Sequence, residues 1–349
     1  MFNSSSRIVF QKAISVRNPY LLQRKNLLIF LYSFSETFRV LRKIRLGRIK
    51  FGSYALSFVK SLANLYGMYR LSKNIHRKLK CVLINKEAKL NFSIRDTNSQ
   101  FCSIYSPQYK DCYEPDVSGA IEIFLPQNGT FIDIGSNWGH HAFFAAIHKD
   151  AEVKIFEPNP LVFNDVANIR KDLNIANDKF ELHNIGLSNF SGEITLVQKY
   201  FESGLASIDP DFISHRNHLA LNILYKAAGI KALSYTTKVT TLDACNLKGA
   251  SLIKIDAEGV ELEILLGALE TIKKFRPVII FEYHSDDITL FQKFSDFFVA
   301  LSYNLFQADC KIQGRALDTN PNFLFTLSRP SIHPNVQYNL IGVPEEFKL

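Results

Sequence analysis

The sequence predicts an α/β fold built on a mostly parallel sheet. Three observations carry that expectation. Short apolar segments, Phe131 to Ile134, Val153 to Phe156, Phe180 to Asn184, Leu252 to Ile255 and Val278 to Phe281, recur along the chain, each followed by a helical or turn segment. Strands buried on both faces and alternating with helices read in this way. The first segment runs into a glycine-bearing turn, FIDIGSNWGHH, and open sheets of this class bind their ligands at the carboxyl ends of their strands. Finally, 47% hydrophobic and 21% charged residues in a chain of 349, with 29 Phe and 14 Tyr, exclude a disordered or fibrous protein and supply a large core.

The chain opens on a strongly asymmetric charge. Residues 1 to 90 hold 19 lysines and arginines against Glu36 and Glu87 alone, a net +17, whereas the remainder has 22 against 31, a net −9. Such segregation points to an acidic partner for the amino-terminal part, either anionic lipid or nucleic acid; a solvated basic extension is the plainer alternative. The apolar run Leu27 to Phe34 is far shorter than the roughly 20 residues of a membrane-spanning helix. No cleavable secretory signal is evident, but the first 35 residues carry Arg and Ser and no acid, as organelle transit peptides do. Five scattered cysteines without a CxxC pair predict neither a disulfide framework nor a zinc cluster, and favour a reducing compartment. A cytoplasmic protein, with peripheral contact at a membrane surface, is the expectation.

From Phe51 to Tyr69 apolar residues recur at three-four spacing, which predicts a helix packed on the body or a partner. The basic stretch Val40 to Lys50 before it would suit an anionic membrane surface. CVLI and LNFSI, between Cys81 and Tyr105, read as a small β lead-in. Tyr113-Glu114-Pro115-Asp116 then starts a helix that Pro126 and Gly129 end, since proline suits a first helical turn and acids its positive end. After the alternating segments, Tyr303 to Phe306 and Tyr338 to Val343 read as two further strands, an antiparallel edge pair.

The candidate ligand residues follow from these placements. Asp133, Gly135, Ser136, Asn137 and Gly139 lie on the turn after the first strand; a glycine there lets a ligand approach the backbone, although any tight turn uses glycine too. The spacing is GxxxG, not GxGxxG, which disfavours a dinucleotide pyrophosphate site and with it a nicotinamide-dependent oxidoreductase. Glu157 stands 22 residues after Gly135, where a carboxylate can accept from both hydroxyls of a ribose. Asn184 and Gly186 follow the third strand and would border a flat adenine ring. In LIKIDAEGVELEIL, Asp256 ends a strand and Glu258 opens a helix whose last turn holds Lys273 and Lys274; Glu261 and Glu263 read as surface acids of that helix.

The motifs FIDIGSNWG, FEPNP, IKIDAEGVELEIL and PVIIFEYH, in this order, resemble the FkbM-type methyltransferases, a branch of the S-adenosylmethionine-dependent class I fold. The resemblance spans about residues 111 to 346, from YEPDV to NLIGVPEEF. It implies a Rossmann-like, mostly parallel sheet of seven strands with the last inserted antiparallel, helices on both faces, and S-adenosylmethionine as cofactor. Residues 1 to 80 would form a basic, mainly helical extension to a domain of residues 81 to 349. His140-His141 departs from the family pattern, which has aromatic or small residues there. The reaction implied is methylation of a hydroxyl on a sugar, polyketide or similar metabolite. Asp256, Glu258 and His284 are the candidate catalytic groups, as base or as orienters of that hydroxyl, with Glu282 nearby. No metal is required by their spacing, although oxygen-rich sites suit magnesium. The stretch Gln198 to Thr237, rich in Tyr and His, is expected to cover the acceptor or to pack as a helical insertion. Two readings compete: a nucleic-acid methyltransferase using the basic arm, disfavoured by IDAEG standing where base-methylating enzymes carry an NPPY-like tetrapeptide, and a non-catalytic module.

Overall fold

The computed structural model describes residues 10–14, 20–22, 27, 29–30, 62–85, 88–104, 112–198, 206–207, 227, 229–283, 288–313, 322–333, 336 and 338–347. Its centre is a nine-stranded sheet in the order β1-β15-β14-β16-β13-β12-β5-β6-β7. Five of these strands run parallel: β5 (Thr130–Ile134), β6 (Glu152–Phe156), β7 (Phe180–His183), β12 (Leu252–Ile255) and β13 (Val278–Tyr283). β16 (Tyr338–Pro344) enters antiparallel between β13 and β14 (Tyr303–Gln313). The two late strands are therefore paired as expected, but inside the sheet and not at its edge.

These parallel strands are apolar throughout because both faces are covered. Phe131, Leu252, Val278 and Ile280 pack into one core, against α2 (Pro115–Phe124), α3 (His140–Lys149) and α4 (Pro160–Asp172). Their neighbours Ile132, Ile253, Ile255, Ile279 and Phe281 pack into the other, against α5 (Glu261–Leu266), α6 (Leu269–Phe275) and α7 (Ile288–Ala300). Successive strand residues point to opposite faces, so two cores demand an unbroken apolar run.

Two strands extend the seven-stranded core. β15 (Asn322–Ser328) pairs antiparallel with β14, and β1 (Phe10–Ile14) pairs antiparallel with β15. The amino-terminal stretch, expected to be mainly helical, thus contributes an edge strand. It also supplies β2 (Tyr20–Leu22), which joins β3 (Lys78–Asn85) and β4 (Ala88–Arg95) in a three-stranded sheet. The β lead-in is this β3–β4 hairpin. Residues 62–72 form helix α1, but its buried side is formed by Ala63, Asn64, Met68 and Arg70, while Leu62, Tyr66 and Tyr69 of the apolar pattern face outward. The rest of the expected Phe51 to Tyr69 helix and the basic stretch Val40 to Lys50 lie outside the described residues. Among the described residues no helix is long and apolar enough to cross a membrane.

Two other expectations change. The helix expected from Glu258 to Lys274 is split into α5 and α6 at Gly267, where a Cβ would stand 2.0 Å from the carbonyl oxygen of Ser188. The backbone of a neighbouring loop occupies that space, so only glycine fits. Asp243 then caps α6, its carboxylate accepting from the amides of Glu270 (3.0 Å) and Thr271 (2.7 Å). Parts of the expected covering stretch are strands: β10 (Ala206–Ser207) pairs with β9 (Gly192–Gln198), and β11 (Leu233–Thr240) pairs with β9 and β8 (Gly186–Leu187). Its alternating exposure, set by Thr and Val at every second position, is a strand signal that polar content concealed. Of the aromatic and basic residues of that stretch, Tyr235 is described; Tyr200, Phe201, His215, Arg216, His218 and Tyr225 lie outside the described residues.

Candidate active site

The carboxyl ends of β5, β6, β7 and β12 are stitched together by backbone bonds. Gly135 N–H donates to Phe156 O (2.9 Å), Glu157 N–H to His183 O (3.1 Å) and Asp256 N–H to Ile134 O (3.0 Å). Gly135 has φ +71°, and a Cβ on it would lie 1.8 Å from Asp256 O. Only glycine permits that approach of the two strand ends. Asn137 and Gly139 also have positive φ, and Gly139 is the N-cap of α3. The turn is anchored by Trp138, fully buried with its ring edge-on to Phe101 at 5.0 Å. Ser136 is buried on the same turn, and its carbonyl accepts from Gly139 N–H (2.9 Å).

Glu157 lies beneath this turn. Its two carboxylate oxygens accept one backbone N–H each, from Asn137 (2.9 Å) and Asn159 (2.8 Å). Each oxygen keeps a lone pair, so the group can still accept from two hydroxyls. Burial, only partly offset by those two donors, pushes its pKa up to about 7. Asn184 does not reach inward as expected of an adenine neighbour: it is exposed, and its amide donates to the carbonyls of Glu157 (2.7 Å) and Pro158 (3.3 Å). It braces the Glu157 loop from outside. Gly186 belongs to β8 and packs against Pro158 and Ile194.

The floor of the site is a buried charge cluster that the motif reading missed. Lys254, in the otherwise apolar β12, has its ammonium 3.2 Å from Asp256 and 3.6 Å from Asp133. The signal was present as a lone lysine at the centre of LIKI, two residues before Asp256 and directly across from Asp133 in register. Those two carboxylates and Glu114 hold its pKa well above the ordinary lysine range in spite of burial. Asp133 is fully buried, and burial pushes it up to about 6 against the pull of Lys254. Among the described residues neither of its oxygens has a hydrogen-bond partner, nor has Oδ1 of Asn137 or Nδ1 of His141. These four atoms come from a single nine-residue stretch, 133 to 141. A folded protein rarely leaves such groups bare, and a ligand bearing a cationic group and hydrogen-bonding functions would satisfy them.

Acids surround this floor. Glu282 on β13 is pushed far above the ordinary carboxylate range by burial and by the charges of Asp256 and Glu258. Glu258 is half-buried with φ +55°. Glu261 is not a surface acid: it is buried, and its Oε1 accepts from the amides of Ala257 (3.0 Å) and Gly259 (3.1 Å), fixing the loop that carries Glu258. On the far side Glu114, at φ +44° before α2, accepts from or donates to His141 across 2.8 Å. Asp133, Gly135, Ser136, Asn137, Gly139, Glu157, Asp256 and Glu258 are thus gathered at one sheet edge, with Lys254, Glu114, His141 and Glu282 added. His284 lies outside the described residues. Among the described residues no group of three or more His, Cys, Asp or Glu side chains is arranged to hold a metal ion.

The family model of the methyltransferase FkbM domain matches residues 133–308, just over half of the chain. Among solved structures, a methyltransferase FkbM from Methylobacillus flagellatus KT is 14% identical, with 66% of this chain and 52% of that one covered and a TM-score of 0.39. The chain therefore spans about half the length of that protein. Precorrin-6y C5,15-methyltransferase from Geobacter metallireducens GS-15 is 12% identical over 65% of this chain and 90% of that one, with a TM-score of 0.33. TYW2 of M. jannaschii, solved in complex with AdoMet, is 8% identical over 73% and 88%, with a TM-score of 0.33. No curated protein matches. The family model covers just over half of the chain, and on that match the chain belongs to the FkbM family of S-adenosylmethionine-dependent methyltransferases.

Proposed function

We propose that the protein is an O-methyltransferase that transfers a methyl group to a hydroxyl of a small molecule, a sugar or a glycan or glycolipid precursor. The observation that carries this reading is Asp133, a fully buried carboxylate that has an ion pair to Lys254 at 3.6 Å but no hydrogen-bond partner among the described residues, beside the Gly135 turn and Glu157. Those residues fit S-adenosylmethionine. Asp133 offers an anionic partner to its cationic groups, Glu157 offers two acceptor lone pairs to its ribose, and Gly135 lets the strand ends that carry these groups come together. When bound, the donor supplies a methyl group already activated on a sulfonium.

The chain's own task is to align the acceptor oxygen and to take its proton. Asp256 is partly exposed at the mouth, and with Glu258 and Glu282 it forms a rim of oxygen acceptors suited to a polyhydroxylated ligand. The basic amino-terminal stretch supports peripheral contact with anionic lipid as part of the same reading, which would bring a lipid-linked acceptor to the site. Its net +17 equally motivates nucleic acid as substrate; RNA affinity that falls steeply with salt would favour that alternative.

Isothermal titration with S-adenosylmethionine tests the donor site. The wild-type chain is expected to bind, and Glu157→Ala to bind at least about tenfold more weakly, the loss of one or two charge-assisted hydrogen bonds. Equal affinity of the two proteins would remove Glu157 from the site and the reading with it.

A further inference from the structure

His141 occupies a position no motif assigns. It is the second residue of α3, immediately after the glycine turn, and is 4% exposed. Its Nε2 lies 2.8 Å from Glu114 Oε2, whereas its Nδ1 is buried without a hydrogen-bond partner among the described residues. Around it stand His140, its ring perpendicular at 4.7 Å, and Tyr113, at 6.3 Å. Lys254 and Asp256 face it from β12 with opposite charges. Glu114 is held in a left-handed conformation that is unfavourable for a residue with a side chain, and such strain concentrates where geometry is functional.

Burial raises the pKa of Glu114 and Lys254 opposes that; as a carboxylate on Nε2, Glu114 fixes the ring proton there and leaves the lone pair on Nδ1. Burial and the nearby Lys254 keep the ring neutral, because both disfavour the imidazolium. A neutral ring, oriented by an acid and with its free nitrogen unbonded beside the donor turn, has the attributes of a general base.

We propose that His141 is the catalytic base of the methyl transfer, accepting the acceptor's hydroxyl proton on Nδ1, and that Glu114 is its positioning residue. This rests on the methyltransferase reading above. As the hydroxyl oxygen's electron pair forms the new C–O bond, the C–S bonding pair stays with sulfur and the O–H proton passes to Nδ1. The positive charge lost from the sulfonium reappears as an imidazolium between Glu114 and Asp256, and no oxidant or reductant is involved. Asp256 is less suited to the role, since Lys254 already engages it at 3.2 Å.

Two experiments on the full chain decide the matter. In long-range 1H–15N spectra of protein labelled at histidine nitrogen, with His141 assigned by its loss in His141→Gln, the ring is expected as the Nε2–H tautomer. Its Nδ1 resonance should shift when S-adenosylmethionine is added, and Glu114→Ala should abolish the tautomer preference. An Nδ1–H tautomer, or an Nδ1 unmoved by the donor, overturns the proposal. In the second experiment His141→Gln and Glu114→Gln are titrated with S-adenosylmethionine and assayed on a panel of methyl glycosides. Both variants should still bind the donor measurably, which also reports their folding. His141→Gln should lose on the order of 10²- to 10⁴-fold in transfer rate. Glu114→Gln should move the acid limb of the pH-rate profile to lower pH, because the anion that stabilises the imidazolium is gone. A His141→Gln rate within twofold of wild type refutes the assignment. A wild-type chain that binds no donor fails the underlying reading, and this inference falls with it. One that binds donor but methylates no glycoside fails only the acceptor class, and the spectra then decide.

Discussion

Glu157 shows how one residue can serve the fold and the ligand at once. Its carboxylate closes the Asn137 turn onto the Asn159 turn, yet it is buried enough that its pKa rises to about 7 from an ordinary 4.5. A carboxyl group with a raised folded-state pKa stabilises the fold fully below its unfolded value. That contribution is lost as pH rises through the folded value, because the native state then holds a proton the unfolded state has released. The window runs from about 4.5 to somewhat above 7. The stability difference between wild type and Glu157→Gln should therefore shift in the variant's favour by on the order of 2 kcal/mol between pH 5 and pH 8. Urea unfolding of both proteins across that range measures it, and parallel curves would show that Glu157 does not titrate there. The residue's importance was legible from its distance to Gly135; its double backbone engagement was not, since that depends on how two loops meet.

At the scale of the element, the clearest case is the helical segment 62–72. Besides Met68, which is buried in the core, it is tied to the end of β4 by Arg70, whose guanidinium donates to both oxygens of Asp96 (2.8 and 3.0 Å). The pair is almost wholly enclosed, and Asp96 also accepts from the amide of Arg77 (2.9 Å). Removing one member of such a pair strands a buried charge. Arg70→Met is expected to cost about 3 kcal/mol in urea-induced unfolding, and adding Asp96→Asn should recover part of it. A cost below roughly 0.5 kcal/mol would mean that the pair is not a tether. The apolar spacing located this helix correctly but pointed to the wrong side of it, because Arg70 faces inward to Asp96 and Asn64 is buried too. α2 was more transparent. Its limits, Pro115 and Phe124, follow from local chemistry, a proline at the first turn and another just past the end.

The whole molecule extends its central sheet beyond the methyltransferase core by β15 and then β1, which lies on the outer edge. β1 pairs over Phe10 to Ile14 with Leu327 to Phe323, and the β15 residues Phe323, Phe325 and Leu327 are buried. Without β1, an apolar strand would present unpaired amides and carbonyls to solvent. Deleting residues 1–14 should therefore raise the mass measured by light scattering relative to the full chain at equal concentration. An unchanged mass would show that β1 does not protect that edge. No local pattern announced β1, since a five-residue strand with a polar pair in it has meaning only against the strand it completes.

The amino-acid order alone determined the parallel five-strand core, the glycine turn, the Glu157 carboxylate and the IDAEG strand end, because each is encoded over a few consecutive residues by backbone conformation or by the need to bury both sheet faces. The tertiary structure decided which groups share one low-dielectric space. Lys254 sits between Asp133 and Asp256, and Glu114 meets His141 across 27 positions of sequence. Burial and pairing of charge are properties of what the folded chain brings together from afar, and no local spacing records them.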